Sequence, residues 1–227
     1  MNSNRNMLRQ LVIGFAAICL CSACGRNRLE SQRDRFTAGA TDNFGSVYVI
    51  YDEELKTGGG LLIFPGGENQ MIDLENRENP FGGKQCIKYH WNGGEVFNYE
   101  IGRFQNSFAG FALQTEDDPA DFFSSNPRDF SSAQYTKVFF HIRGALSENT
   151  KLKVEAPDDA DTETAAPMLE ITSLTNAWTQ YSFNITPASL TKVKEFFKLT
   201  FIYSNPDGTS NSGEGGIVFV DNIFWQK

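Results

Sequence analysis

From Ser46 to the C-terminus, short runs of strand-forming residues alternate with turn residues, and no long amphipathic period interrupts them. Runs at 47–51, 61–64, 85–91, 108–115, 135–143, 152–155, 168–174, 178–185, 198–203 and 217–225 carry the β-branched and aromatic residues. Gly58-Gly59-Gly60, Asn92-Gly93-Gly94 and Asn205-Pro206-Asp207-Gly208 punctuate them. Such punctuation leaves each run room for one strand and breaks the backbone before a helix can grow. The pattern predicts an all-β sandwich or barrel. Helical stretches do not alternate with the strands, so a parallel α/β sheet is excluded. One short helix is expected near 188–197. The 20 Phe residues supply material for a large core.

Side-chain alternation assigns the faces, because successive residues of a strand point to opposite sides. Within 135–143, Val138, Phe140 and Ile142 form the core set, leaving Tyr135, Lys137, Phe139, His141 and Arg143 opposite. Within 178–185 the core set is Tyr181, Phe183 and Ile185, with Trp178, Gln180, Ser182 and Asn184 on the other side. Within 108–115 it is Ala109, Phe111 and Leu113, with Phe108, Gly110, Ala112 and Gln114 opposite. The second faces are polar yet studded with aromatic rings, unlike a merely solvated face of Lys, Glu and Thr.

Charge narrows the function. Lys and Arg number 20 against 28 Asp and Glu, for a net charge of −8. With no basic run, a nucleic-acid partner is excluded. Only two histidines, His90 and His141, are available for imidazole chemistry. Glu-x-Asp-x-x-Glu, Gly-x-Ser-x-Gly, His-Glu-x-x-His and phosphate-loop strings are all missing.

The N-terminus bears an address. Arg5 and Arg9 precede an apolar run at 11–21 that is shorter than the roughly 20 residues a spanning helix needs. Ser22-Ala23-Cys24 follows. This resembles the lipobox of bacterial lipoproteins, with Cys21 standing where the family usually has Leu. The resemblance implies a signal peptide at 1–23, lipid on Cys24, a polar tether at 24–45 and a folded domain at 46–227. Loss of Arg5 and Arg9 makes the mature chain more acidic still. Lipid-anchored residence in the bacterial cell envelope follows, and Gly25 in place of Asp favours the outer membrane. Cys86 would then be the one Cys left without lipid, a small buried hydrophobe.

Four segments carry a second likeness. They are 73–88 (DLENRENPFGGKQCIK), 129–144 (DFSSAQYTKVFFHIRG), 178–183 (WTQYSF) and 217–225 (IVFVDNIFW). In this order they resemble the β-jelly-roll carbohydrate-binding modules of galactose-binding-like fold. The subgroup compared often has Trp-x-Gly where this chain has Phe108-Ala109-Gly110. The resemblance implies a jelly-roll β-sandwich that binds an oligo- or polysaccharide without chemistry, as a monomer. It also implies a structural Ca²⁺ held by Asp52 or Glu53, the Gly82-Gly83-Lys84 loop and Asp221. A hydrogen-bonded Asp221 without metal is the alternative.

A pyranose has an apolar C–H face and a rim of hydroxyls, which flat rings and Arg, Gln, His or Asn meet respectively. Trp91, opening a polar loop, is read as a stacking platform, with core packing as its alternative. Gln114, His141, Arg143 and Gln180 on the second faces are read as hydroxyl partners. Phe122-Phe123 is the other aromatic loop, and Trp178 and Trp225 are read as packing residues. Two further functions stay open: a structural or adaptor lipoprotein docking a partner protein, and a jelly-roll glycan hydrolase or lyase.

Overall fold

The computed structural model describes residues 45–55, 60–64, 70–93, 96–98, 103–105, 108–115, 117–118, 121–125, 128–159, 166–186, 190–203 and 215–227. The signal-peptide segment 1–23, Cys24 and the tether as far as residue 44 lie outside these. The strands are β1 (Val47–Asp52), β2 (Glu54–Leu55), β3 (Gly60–Phe64), β4 (Gln70–Asn76), β5 (Cys86–Trp91), β6 (Val96–Asn98), β7 (Arg103–Gln105), β8 (Phe108–Gln114) and β9 (Asp117–Asp118). After them come β10 (Asp121–Ser125), β11 (Lys137–Leu146), β12 (Thr150–Glu155), β13 (Asp158–Asp159), β14 (Met168–Ile171), β15 (Thr179–Asn184), β16 (Val193–Tyr203) and β17 (Gly216–Gln226). Phe122-Phe123 falls in β10, whose side chains lie outside the described residues.

Two antiparallel sheets form the expected jelly-roll β-sandwich. The first has the order β15-β11-β17-β1-β2, with β5 also against β17 and β4 beyond β5. The second has the order β14-β12-β16-β8-β3, with β13 against β16. Alternation buries one face of each. Val138, Phe140, Ile142, Val218 and Val220 come from the first sheet, and Phe111, Leu113, Leu152, Leu199 and Phe201 from the second. Rings lock the two together: Tyr89 meets Phe111 edge-on with centroids 5.3 Å apart, and Phe140 meets Phe197 at 5.3 Å. Edge-on pairs set the positive rim of one ring against the negative face of the other. Tyr48, Phe130, Phe196 and Trp225 make a second aromatic cluster at one end.

The helix expected near 188–197 is corrected by the structure. β16 starts at Val193, and no α-helix occurs among the described residues. The register of β16 on β8 slips between Glu195 and Phe197, so that Phe196 and Phe197 are both buried. A β-bulge turns two consecutive residues inward and breaks the period of two, which leaves an apolar spacing easily read as helical.

A second bulge prepares the functional surface. Residues 216–220 of β17 pair with β5, and residues 223–226 pair with β1. Asp221 and Asn222 lie where the partner changes, and Asn222 takes the left-handed conformation at φ 48°. The loop between β4 and β5 closes over this break, with the N–H groups of Phe81 and Gly82 donating to Asp221 Oδ2 at 2.9 and 3.1 Å.

Candidate functional site

The outward face of the second sheet carries a groove of 440 Å³. Its floor is made where β3, β8, β16 and β12 lie side by side, and its lining includes Phe64, Phe108, Lys153, Glu155, Lys198 and Thr200. Phe64 sits across from Gly110 in the β3–β8 register. A Cβ on Gly110 would lie 2.7 Å from the Phe64 ring and 2.2 Å from the Leu199 carbonyl oxygen, so glycine is what lets the ring cross β8 at close range. Phe108 is 42% exposed, an open ring at the margin of the groove.

The charges come in pairs. Lys153 Nζ lies 2.8 Å from a Glu155 oxygen, and Lys198 Nζ 3.6 Å from Glu195. Lys198 Nζ also stands 5.5 Å from the centre of the Phe64 ring. The groove therefore offers ammonium donors, carboxylate acceptors and the Thr200 hydroxyl beside apolar rings, with its positive and negative charges matched.

Of the residues expected to bind, Gln114 is on this face. It is largely buried, opposite Gly60 on one side and Glu195 on the other. His141, Arg143 and Gln180 belong to the first sheet, on the opposite outward face of the sandwich. The expectation that these four form one site is corrected, because β8 and β11 belong to different sheets. Trp91 as a platform is corrected too. It is 4% exposed, packs on Phe201 with centroids 5.9 Å apart, and is pressed so closely by Gly215 that a Cβ there would lie 2.5 Å from its ring. Trp225 is buried as a packing residue, whereas Trp178 is half-buried beside Phe81 and Arg143.

His141 and Arg143 are buried beneath the 77–84 loop and are not open to a ligand. Phe81 lies parallel on His141, with ring centres 3.7 Å apart and planes at 14°. The Arg143 guanidinium rests 3.6 Å from the Phe219 ring centre and 5.2 Å from that of Trp178, and it donates to the Glu78 carbonyl. Trp178 Nε1 donates to the Asn79 carbonyl at 3.0 Å, and Lys88 pairs with Glu78 at 2.8 Å. Burial lowers the His141 pKa from its ordinary value, which favours neutral imidazole under the Phe81 ring. Gln180 is exposed on the neighbouring strand, directly across from His141.

The acids expected to hold calcium are engaged otherwise. Asp221 Oδ2 accepts the two loop N–H groups, and its Oδ1 accepts the Asn222 N–H at 2.7 Å. Glu53 Oε1 accepts the Lys84 N–H at 2.9 Å. Calcium takes six to eight oxygen ligands. Here the loop turns the N–H groups of Phe81, Gly82 and Lys84 toward the carboxylates. Among the described residues, no three of His, Cys, Asp and Glu come together as ligands. Three N–H donors on Asp221 and one on Glu53 make this set a poor fit for a calcium ion. Asp52, at the end of β1, acts on Asp221 by charge. Burial first, and Asp52 with it, push Asp221 up to about 6 against the opposing pull of the three N–H donors.

The groove residues of β12 and β16, together with Phe64 and Phe81, were missed by sequence reasoning. Alternation puts Phe108, Gly110, Ala112 and Gln114 on one face, and the same parity in β16 and β12 gives Lys198, Thr200, Lys153 and Glu155. Pairing those strands is the step that sequence lacks.

No family model matches the sequence, and no curated protein matches it. Solved structures do. An exo-1,3/1,4-β-glucanase from a Pseudoalteromonas species matches at a TM-score of 0.50 and 7% identity, over 83% of this chain and 21% of that one. The family 11 carbohydrate-binding module from Clostridium thermocellum, solved with a β-1,3-1,4-mixed-linked tetrasaccharide, matches at 0.44 and 14%, over 79% and 95%. A family 29 carbohydrate-binding module from Piromyces equi matches at 0.39 and 9%, over 79% and 88%. At these identities the likeness is one of fold alone.

Proposed function

We propose that this chain is a lipid-anchored protein of the bacterial cell envelope that binds an oligo- or polysaccharide, without chemistry, in the groove of its second sheet. The observation that carries the reading is the open Phe108 ring beside a groove of matched Lys–Glu pairs. Phe108 meets the apolar face of a sugar, while the ammonium groups, carboxylates and Thr200 hydroxyl serve its rim. Paired charges and an acidic chain favour a neutral glycan over a polyanion. The arrangement favours binding over hydrolysis, because each groove carboxylate named here is paired with a lysine, which holds it ionised, whereas hydrolysis needs one of two acids protonated.

The test uses the full chain against a panel of mixed-linkage β-glucan, β-1,4-galactan, xylan and mannan, by retardation in native gels and by calorimetry. At least one should be retained, and Phe108→Ala should weaken it roughly tenfold, the scale of an aromatic contact worth about 1 kcal/mol or more. Its melting temperature should stay near that of the parent. Retention unaltered by Phe108→Ala would move the site out of the groove. Release of reducing ends from the retained polymer would reinstate an enzyme.

A further inference from the structure

We propose that the outward face of the first sheet holds a second, smaller saccharide site, in which Phe81 is the floor and Trp178 the wall for one neutral pyranose ring. It uses no residue of the groove, so either site can fail alone. One side of the Phe81 ring is covered by His141 at 3.7 Å in a near-parallel stack, yet the residue is 46% exposed. With that side covered, the exposure of Phe81 comes from the part of the ring turned away from His141. Trp178 stands at 70° to it with centroids 6.1 Å apart, which makes a corner rather than a flat patch. A corner of two rings accepts the face and one edge of a single ring.

The platform is held before any ligand arrives. Asp221 fixes the Phe81 and Gly82 N–H groups, Glu53 fixes that of Lys84, Arg143 reaches the Glu78 carbonyl, and Trp178 reaches that of Asn79. A pre-ordered ring adds affinity by sparing the cost of ordering it on binding. Two side chains beside it can serve a hydroxyl rim: the exposed Gln180, across from His141, and Asn222, whose amide nitrogen is 3.5 Å from where a Gly82 Cβ would sit. The nearby cations are engaged, Arg143 on Phe219 and Glu78, and Lys88 on Glu78. That points to a neutral ring rather than an anion. Two rings are also far short of the roughly 800 Å² per partner of a standard protein interface, which argues against a docked protein.

The experiment follows the Trp178 indole N–H signal by NMR in the full chain, titrated with the methyl glycosides of glucose, galactose, mannose and N-acetylglucosamine. A saturable shift with at least one is expected. Phe81→Ala should abolish it while the domain stays folded, with only the modest drop in melting temperature that a half-exposed ring stacked on His141 implies, and Phe81→Tyr should restore it. Phe108→Ala should leave it unchanged while weakening polysaccharide retention, the separate readout of the groove. A Trp178 signal that moves with none of the four sugars overturns the corner site, and so does a shift that persists in Phe81→Ala.

Discussion

Burial and the charge of Asp52 push the Asp221 carboxyl up to about 6, although three N–H groups point at it. The consequence for stability has a definite sign. A carboxyl raised above its unfolded value of about 4 stabilises the fold fully below that pH, and the contribution is lost as pH rises through the folded value. Burial of neutral His141 works the opposite way, since its depressed value costs stability as pH falls. A single melting curve would mix the two. Asp221→Asn separates them, because it removes one titration and keeps an oxygen to accept the Phe81 and Gly82 N–H groups. The stability of Asp221→Asn relative to the parent should therefore grow as pH rises from about 4 to just above 6, then level off. Thermal melts at intervals across that window measure it. A difference that shrinks with pH would mean that the loop N–H groups outweigh burial and that Asp221 is held ionised.

Strand β5 tests the line between core and surface. Trp91 closes β5 opposite Gly216 and packs on Phe201, so Trp91→Ala should cost about 3–5 kcal/mol, the usual range for truncating a large buried ring. Chemical denaturation measures it, and a loss under about 1 kcal/mol, outside that range, would return Trp91 to the surface. Sequence left this residue open because it stands at once on a strand end and at the mouth of the Asn92-Gly93 loop. Where period-two alternation runs unbroken, as in β8 and β11, the sides read from sequence match those in the fold, with Val138, Phe140, Ile142, Phe111 and Leu113 all buried; Tyr135, read as outward, is buried just ahead of β11, where the strand has not begun. Where a bulge intervenes, parity fails, and the Phe196-Phe197 pair of β16 then resembles a helix face. Parity also says nothing about which sheet a strand joins. Gln114 and His141 are both correctly turned away from the core, yet they lie on opposite faces because β8 pairs with β3 and β16 while β11 pairs with β15 and β17. Phe81 lies in a Pro80-Phe81-Gly82-Gly83 loop with no period at all, and its role depends on Asp221, 140 positions away in the chain.

At the scale of the whole molecule, the folded unit from Ser46 to Lys227 carries both proposed saccharide sites but does not determine where binding takes place. In the function proposed above, the address is read from the first 24 residues, where Arg5, Arg9, the apolar run and Ser22-Ala23-Cys24 resemble the order of a lipoprotein signal. An acyl chain gains about 0.8 kcal/mol for each CH₂ it buries, and two anchoring signals together hold a protein stably where one chain alone is marginal. With 28 Asp and Glu against 20 Lys and Arg, the chain as a whole is not drawn to an anionic membrane by its net charge. Membrane residence should thus depend on Cys24 rather than on surface charge. Cys24→Ala should block acylation and the cleavage that goes with it. In the parent, mass spectrometry should find a chain starting at Cys24 and carrying acyl groups, and high salt should not release it from membranes. In the variant the acyl mass should vanish and the uncleaved leader should remain, while glycan retention by the 46–227 unit is unchanged. Mature chains of parent and variant that both start at residue 24 and differ only by the one sulfur atom that Cys24→Ala removes would show that residues 1–23 act as an ordinary secretory leader and that the protein is released rather than anchored.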